Sequence, residues 1–166
     1  MKWTAIAGSW RHTNLDIEIK VRESVKSVLA LGNGIVSGGA LGVDFIATDE
    51  ALQSGIHASK LKIIIPSTLE LYRSHYLNRA KEQVITDEQA ESLISQLLTV
   101  KSMGCLVEGL AQIIDKAAYF QRITEIIDVA DELIAFNVNQ TAGTQDTLNK
   151  AQNKGITVKV FVFSID

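Results

Sequence analysis

Cysteine and proline are nearly absent from this chain of 166 residues, which has one of each, Cys105 and Pro66. A single thiol excludes an internal disulfide and suits a reducing compartment, so a cytoplasmic setting is expected. Cys105 sits among Met103, Leu106 and Val107 and reads as a small buried hydrophobe rather than a nucleophile. The three histidines, His12, His57 and His75, are scattered and give no zinc-ligand spacing, so no metal and no cofactor are expected. Positive charge is not in excess: the formal net charge is −3. That argues against a strongly basic nucleic-acid binder, although a local basic patch can exist within an acidic total. No apolar run approaches the length of a membrane span, and Met1-Lys2-Trp3-Thr4 opens no signal segment, so no membrane partner is expected. Repeats, low-complexity tracts and linkers are also missing.

What is present is ordinary globular material, with 46% hydrophobic and 21% charged residues in a length that suits one sizeable core. Trp3 to Ala7 is a short apolar strand. Ile17, Val21, Val25, Val28 and Leu29 then follow helical spacing, with Asn14 as N-cap and Gly32-Asn33-Gly34 as the stop. Ile35-Val36 is a second strand, Val43 to Ser54 a helix, and Leu61 to Ile65 a third strand halted by Pro66. Residues 68–102 read as an insertion of two helices, the second starting at Thr86-Asp87, and residues 103–109 fit no clear element. A helix from about Leu110 to Val129, a strand from Glu132 to Phe136, a helix ending at Lys154 and a last strand from Thr157 to Phe163 complete the chain. Strands and helices alternate, and two strands are nearly continuous apolar runs. The expected fold is therefore α/β: a single Rossmann-like three-layer domain, its mostly parallel sheet covered on both faces.

In such sheets, ligands bind beyond the carboxyl ends of the strands. Three turns here fall at such ends and carry small residues: Gly8-Ser9, Ser37-Gly38-Gly39 and Gly143-Thr144. Each precedes a helix, whose free N–H groups favour an anion. Gly38 and Gly39 admit close approach, and Ser9, Ser37 and Thr144 offer hydroxyls. Phosphate is the anion most often held this way. The G-x-G-x-x-G, phosphate-loop and nucleophile-elbow patterns are all absent, which disfavours a standard dinucleotide fold, a phosphate-loop NTPase and a serine hydrolase.

The stretch GIVSGGALGVDFIATDEAL resembles the S-G-G-A-x-G-x-D-x-x-A signature of the DNA-processing, recombination-mediator family (DprA/Smf). IAGSWR resembles that family's G-S-R turn. More broadly the chain is similar to the SLOG superfamily, which includes the LOG phosphoribohydrolases. YFQRITEIIDVADELIAF looks like the superfamily's arginine-bearing helix, and AGTQDTLNKA like its G-T turn. The likeness covers residues 3–55 and 117–162. Leu41 stands where the mediator family usually has arginine, which removes a charge beside the turn. The LOG glutamate is missing from the last turn, where Asp146 is one methylene shorter.

The resemblance implies a pocket for a nucleotide or a nucleotide-like phosphorylated small molecule, in a protein that is commonly a homodimer. Gly8, Ser9, Arg11, Ser37, Gly38, Gly39, Gly42, Asp44, Arg122, Gly143 and Thr144 are its expected ligand-binding residues. Asp44 is expected to cap its helix or bond the loop. Single-stranded DNA binding, as in a recombination mediator, is one alternative. Hydrolysis of a nucleoside monophosphate is another, with Arg122 and Asp146 (or Glu125) as candidate catalytic groups. Tyr72, Arg73, His75, Tyr76 and Arg79 form a basic-aromatic cluster that reads either as a base-stacking surface or as a half-buried helix face. Trp10 is expected to border the pocket.

Overall fold

The computed structural model describes residues 1–166. Its strands are β1 (Trp3–Gly8), β2 (Gly34–Gly38), β3 (Leu61–Ile65), β4 (Leu106–Glu108), β5 (Glu132–Val138) and β6 (Thr157–Phe163). Its helices are α1 (Leu15–Ala30), α2 (Val43–Gln53), α3 (Leu69–Lys81), α4 (Asp87–Ser102), α5 (Lys116–Val129) and α6 (Ala142–Lys154). The strands form one sheet in the order β4-β3-β2-β1-β5-β6, and every pairing is parallel. This is the expected Rossmann-like three-layer α/β architecture. No helix is long and apolar enough to cross a membrane.

Successive strand residues point to opposite faces, so the sheet feeds two cores. Ile6, Ile35, Ile63, Ile65 and Phe136 join residues of α1 to α4 in the larger cluster. Ala5, Val36, Ile64, Leu133 and Ala135 meet Ile123, Ile126 and Ile127 of α5 and Leu148 and Ala151 of α6. The helices at 69–102 make up the connection from β3 to β4, and Leu93 and Leu97 of α4 lie in the larger core. Asn14 caps α1 as expected, and Thr86 forms a full capping box with Gln89.

Four details depart from the sequence reading. The 103–109 stretch contains β4, an edge strand of three residues, too short to show any alternation. α5 begins at Lys116 rather than Leu110. The backbone N–H groups of Gly109 and Ala111 donate to the carbonyls of Ser67 and Pro66, and Asp115 caps the helix by accepting from the Ala118 N–H. Ser37 and Gly38 lie inside β2 and not in the turn after it. The last strand is not covered on both faces: β6 is an edge, with Val162 69% exposed. One tie between distant elements had no sequence signal. The Lys154 ammonium donates to the carbonyls of Ile127, Asp128 and Ala130, which closes the C-terminal end of α5.

Candidate functional site

The strand order reverses between β1 and β5, because the chain winds outward from β1 to β4 and then returns to β5 beside β1. A crevice is expected there, beyond the carboxyl ends. A cleft of about 710 Å³ occupies that position. Its walls come from the β1 turn (Gly8 to His12), the start of α6 (Thr141 to Thr144), the inner face of α5 and one side of α3. Arg11, Arg79, Lys116 and Arg122 line it, against a single carboxylate, Asp44. The cleft is thus locally cationic within an acidic chain.

Arg122 is the central group. It is only 9% exposed, and its Nε and Nη1 make no hydrogen bond within the protein. The guanidinium lies over the Tyr119 ring at 5.3 Å. Burial disfavours its charge, but Tyr72 and Asp44 nearby favour it, and its pKa is raised overall. A buried cation with free donors is costly unless an anion completes it. The start of α6 adds further donors. Thr141, its N-cap residue, gives no side-chain cap, and its hydroxyl donates to the Thr144 hydroxyl. The first N–H groups of α6 therefore keep no acceptor within the helix. By contrast α1, α3, α4 and α5 are all capped by side chains. An uncapped helix start and an unpaired guanidinium lining the same cleft have the charge and the donors that an anion would need. No group of three or more His, Cys, Asp or Glu side chains is placed to hold a metal ion.

Asp44 is 7% exposed. Burial raises its pKa from 3.8 to about 6, against the opposing pull of Arg122, the Ser37 hydroxyl and the Ala40 N–H. The Ser37 hydroxyl is shared between the Ile6 carbonyl at 2.7 Å and Asp44 at 3.3 Å. The Tyr72 hydroxyl donates to the Gly39 carbonyl at 2.9 Å and lies 3.3 Å from the Tyr76 hydroxyl. Tyr119 and His75 are joined by a 3.2 Å hydrogen bond. Burial, then Arg79, lowers the His75 pKa, with Glu82 opposing.

Of the residues singled out in the sequence, Gly8, Ser9, Arg11, Asp44, Arg122, Gly143 and Thr144 line this cleft, as does Trp10. Ser37, Gly38, Gly39 and Gly42 do not. The glycines of this stretch are closely packed and form no part of the cleft lining. A Cβ on Gly39 would point into the core, 2.5 Å from Ile65 and 2.9 Å from Leu97. A Cβ on Gly42 would strike the backbone of Ser9 and Trp10, and its φ is +73°. Gly38 leaves the space in which Asp44 and Arg122 approach each other. The Ser9 hydroxyl accepts the N–H groups of Arg11 and His12, which fixes the β1 turn.

Asp146 does not line the cleft either. It pairs with Lys150 one turn along α6. Glu125 also lies outside, accepting from Gln121. Asp44 is left as the only acid available there. Leu41 packs in the larger core, so its lack of charge leaves the four cations of the cleft in place. The basic-aromatic cluster divides: Tyr72 is fully buried, Arg73 is exposed and does not line the cleft, and His75, Tyr76 and Arg79 form part of its wall. Lys116, Tyr119 and Phe120 were not read from the sequence as site residues. Their signal was the spacing to Arg122, which puts Tyr119 one turn before it on the same face of α5.

An all-parallel sheet with this switch-point crevice defines a Rossmann-like three-layer protein. The chain belongs to the DNA recombination-mediator protein A family, whose profile matches residues 1–165. Among solved structures it is similar to DNA processing protein A from Helicobacter pylori, described for its single-stranded DNA binding mode. The identity is 21% and the TM-score 0.71, over 96% of this chain and 64% of that chain. It is similar also to DprA from Streptococcus pneumoniae, with 20% identity and a TM-score of 0.65, over 96% of this chain and 50% of that one. The molybdenum cofactor carrier protein from Chlamydomonas reinhardtii shares the fold at 14% identity and a TM-score of 0.56, with 100% and 91% of the two chains covered. The chain thus spans one half to just under two thirds of the two DNA processing proteins. No curated protein matches it in sequence.

Proposed function

We propose that the protein binds single-stranded DNA as a recombination mediator does, holding a backbone phosphate between Arg122 and the start of α6. The observation that carries this reading is the Arg122 guanidinium, buried, charged and without a hydrogen-bond partner at Nε and Nη1. Family membership supplies the ligand class, and Arg11, Arg79 and Lys116 supply positive charge along the approach. Phosphate contacts release counterions, so affinity must fall as salt rises. Fluorescence anisotropy with a single-stranded oligonucleotide tests it. Arg122→Ala should weaken binding and reduce the salt slope by about one. Arg122→Lys should restore charge without the fork of donors. Binding unchanged in Arg122→Ala would remove the proposal.

A second reading is a free nucleotide or other phosphorylated small molecule. It is favoured by the depth of Arg122 and by a cleft volume within the range of small-ligand sites. Thermal shifts with nucleoside mono-, di- and triphosphates separate the two: stabilisation by these, without oligonucleotide binding, selects the second. A homodimer would use the exposed apolar edge of β6, where Val160 and Val162 face solvent. Val162→Asp should then lower the mass seen by light scattering. The reducing, cytoplasmic setting rests on the single buried Cys105.

A further inference from the structure

Asp44 and Arg122 reach each other from opposite sides of the sheet. Asp44 is on α2, whose residues pack in the larger core, and Arg122 is on α5, which packs on the other face. They meet at Gly38, where a Cβ would lie 2.6 Å from the Asp44 carboxylate and 2.9 Å from the Arg122 guanidinium. Yet they form no ion pair within 4.0 Å, since every such pair in the protein lies elsewhere. The carboxylate is the only negative group lining the cleft, and it faces the only cation there that is deeply buried.

Resting on the phosphate-binding reading above, we propose that Asp44 is a proton-linked counter-charge to Arg122. An anion entering the cleft takes over the guanidinium, the Asp44 carboxylate takes up one proton from solvent, and binding strengthens as pH falls. The surroundings suit this role. Burial already brings the Asp44 pKa to about 6, with Arg122 as the main group holding it down. A bound anion cancels that pull and adds repulsion of its own, so the carboxylate binds its proton more tightly in the complex.

The other groups facing the pair do not titrate in this range. Ser37 on β2 and the Ala40 N–H are hydrogen-bond donors to Asp44. Tyr72 and Tyr76 on α3 and Tyr119 on α5 are all raised by burial and stay protonated. His12 and His75 line the same cleft and are both replaced in the test.

The test uses a thymidine oligonucleotide, whose phosphodiesters keep one charge throughout. With Asp44 intact, the affinity of the His12→Gln/His75→Gln variant should rise roughly tenfold between about pH 7.5 and about pH 5.5. Asp44→Asn in that background should bind at the higher pH as tightly as its parent does at the lower, with a flat profile. Titration calorimetry of the full chain in two buffers of different ionisation enthalpy should show proton uptake on binding near neutral pH, and it needs no Asp44 variant to fold. Equal pH slopes with and without Asp44, or no proton uptake, overturn the linkage while leaving phosphate binding in place. No binding at any pH overturns both.

Discussion

Asp44 and Arg122 converge on Gly38, close enough that a single methyl group there would touch both. Neither side chain is more than one tenth exposed. Gly38, the last residue of β2, therefore serves the candidate site indirectly. It leaves room for a buried charge pair from two helical layers, while the cleft itself is walled by other elements.

Gly38→Ala should accordingly damage the site before it damages the fold. The added methyl, 2.6 Å from the Asp44 carboxylate and 2.9 Å from the Arg122 guanidinium, meets the ends of two side chains rather than backbone, and those ends must shift to admit it. We expect destabilisation of about 1–3 kcal/mol, as for other overpacked positions. Loss of anion affinity should be at least as large in free-energy terms, since Arg122 is pushed off its position. Urea melts and oligonucleotide anisotropy on the same preparation check this. A variant with normal affinity and lowered stability would show that the gap matters only for packing.

The alternation of elements was legible in the sequence because period-2 and period-3.6 patterns coincide with real burial, as at Ile17, Val21, Val25 and Val28 in α1. That Gly8-Ser9 and Gly143-Thr144 lie at the carboxyl edge was legible because a strand end, small residues and a helix start lie near one another in the chain, although Gly143 and Thr144 are in the first turn of α6 and not in a turn ahead of it. The direction in which Gly39 and Gly42 face was not. That depends on Ile65, Leu97 and Trp10, which come from other segments. The i,i+4 spacing of Asp146 and Lys150 in α6 could have signalled their pairing, but no spacing rule tells that Arg122 lacks a partner, since that is a property of packed neighbours. β4 escaped because three residues at a sheet edge carry no period. An aspartate at Gly39 would thus break the core and say nothing of ligand binding.

Asp44→Asn should change the pH dependence of stability. The Asp44 pKa is raised by burial from 3.8 to about 6, so the folded state holds a proton that the unfolded chain releases. The favourable contribution is full below 3.8 and is lost as pH rises through about 6. Above that, the ionised form costs about 3 kcal/mol relative to the neutral one. Asparagine carries no such penalty. The variant should be more stable than wild type in mildly alkaline buffer by up to about 3 kcal/mol, with the difference vanishing in acid. Denaturant melts across pH read this out. A variant less stable at every pH would mean that the carboxylate's bonds to Ser37 and Ala40 outweigh its burial.

Lys154→Met should loosen the end of α5. Three carbonyls, at Ile127, Asp128 and Ala130, share its ammonium. Methionine keeps the length of the stem and removes the donors. The expected cost is about 1–2 kcal/mol. Amide exchange should quicken first around Ile127 to Ala130. Uniform loss of protection across the sheet would argue against a local tie.

Gly42 and Gly143 make a controlled pair, since both begin helices at the carboxyl edge and both were read from the sequence as ligand-binding. At Gly42 the backbone is left-handed, with φ +73°, and a Cβ would stand 2.7 Å from the Trp10 Cα. At Gly143 nothing lies within 4 Å of the position a Cβ would take. Gly42→Ala should lose about 1–3 kcal/mol and displace the Ser9–Trp10 turn from the cleft wall, so that affinity falls with stability. Gly143→Ala lies in the first turn of α6 and should gain about 0.5–1 kcal/mol from helix propensity and a stiffer unfolded chain. Its N–H remains, so the anion site at the start of α6 should survive. Thermal melts and oligonucleotide binding measured together distinguish the outcomes. If Gly143→Ala abolishes binding while raising the melting temperature, the ligand needs the space above Gly143 itself, and the phosphate sits closer to α6 than to Arg122.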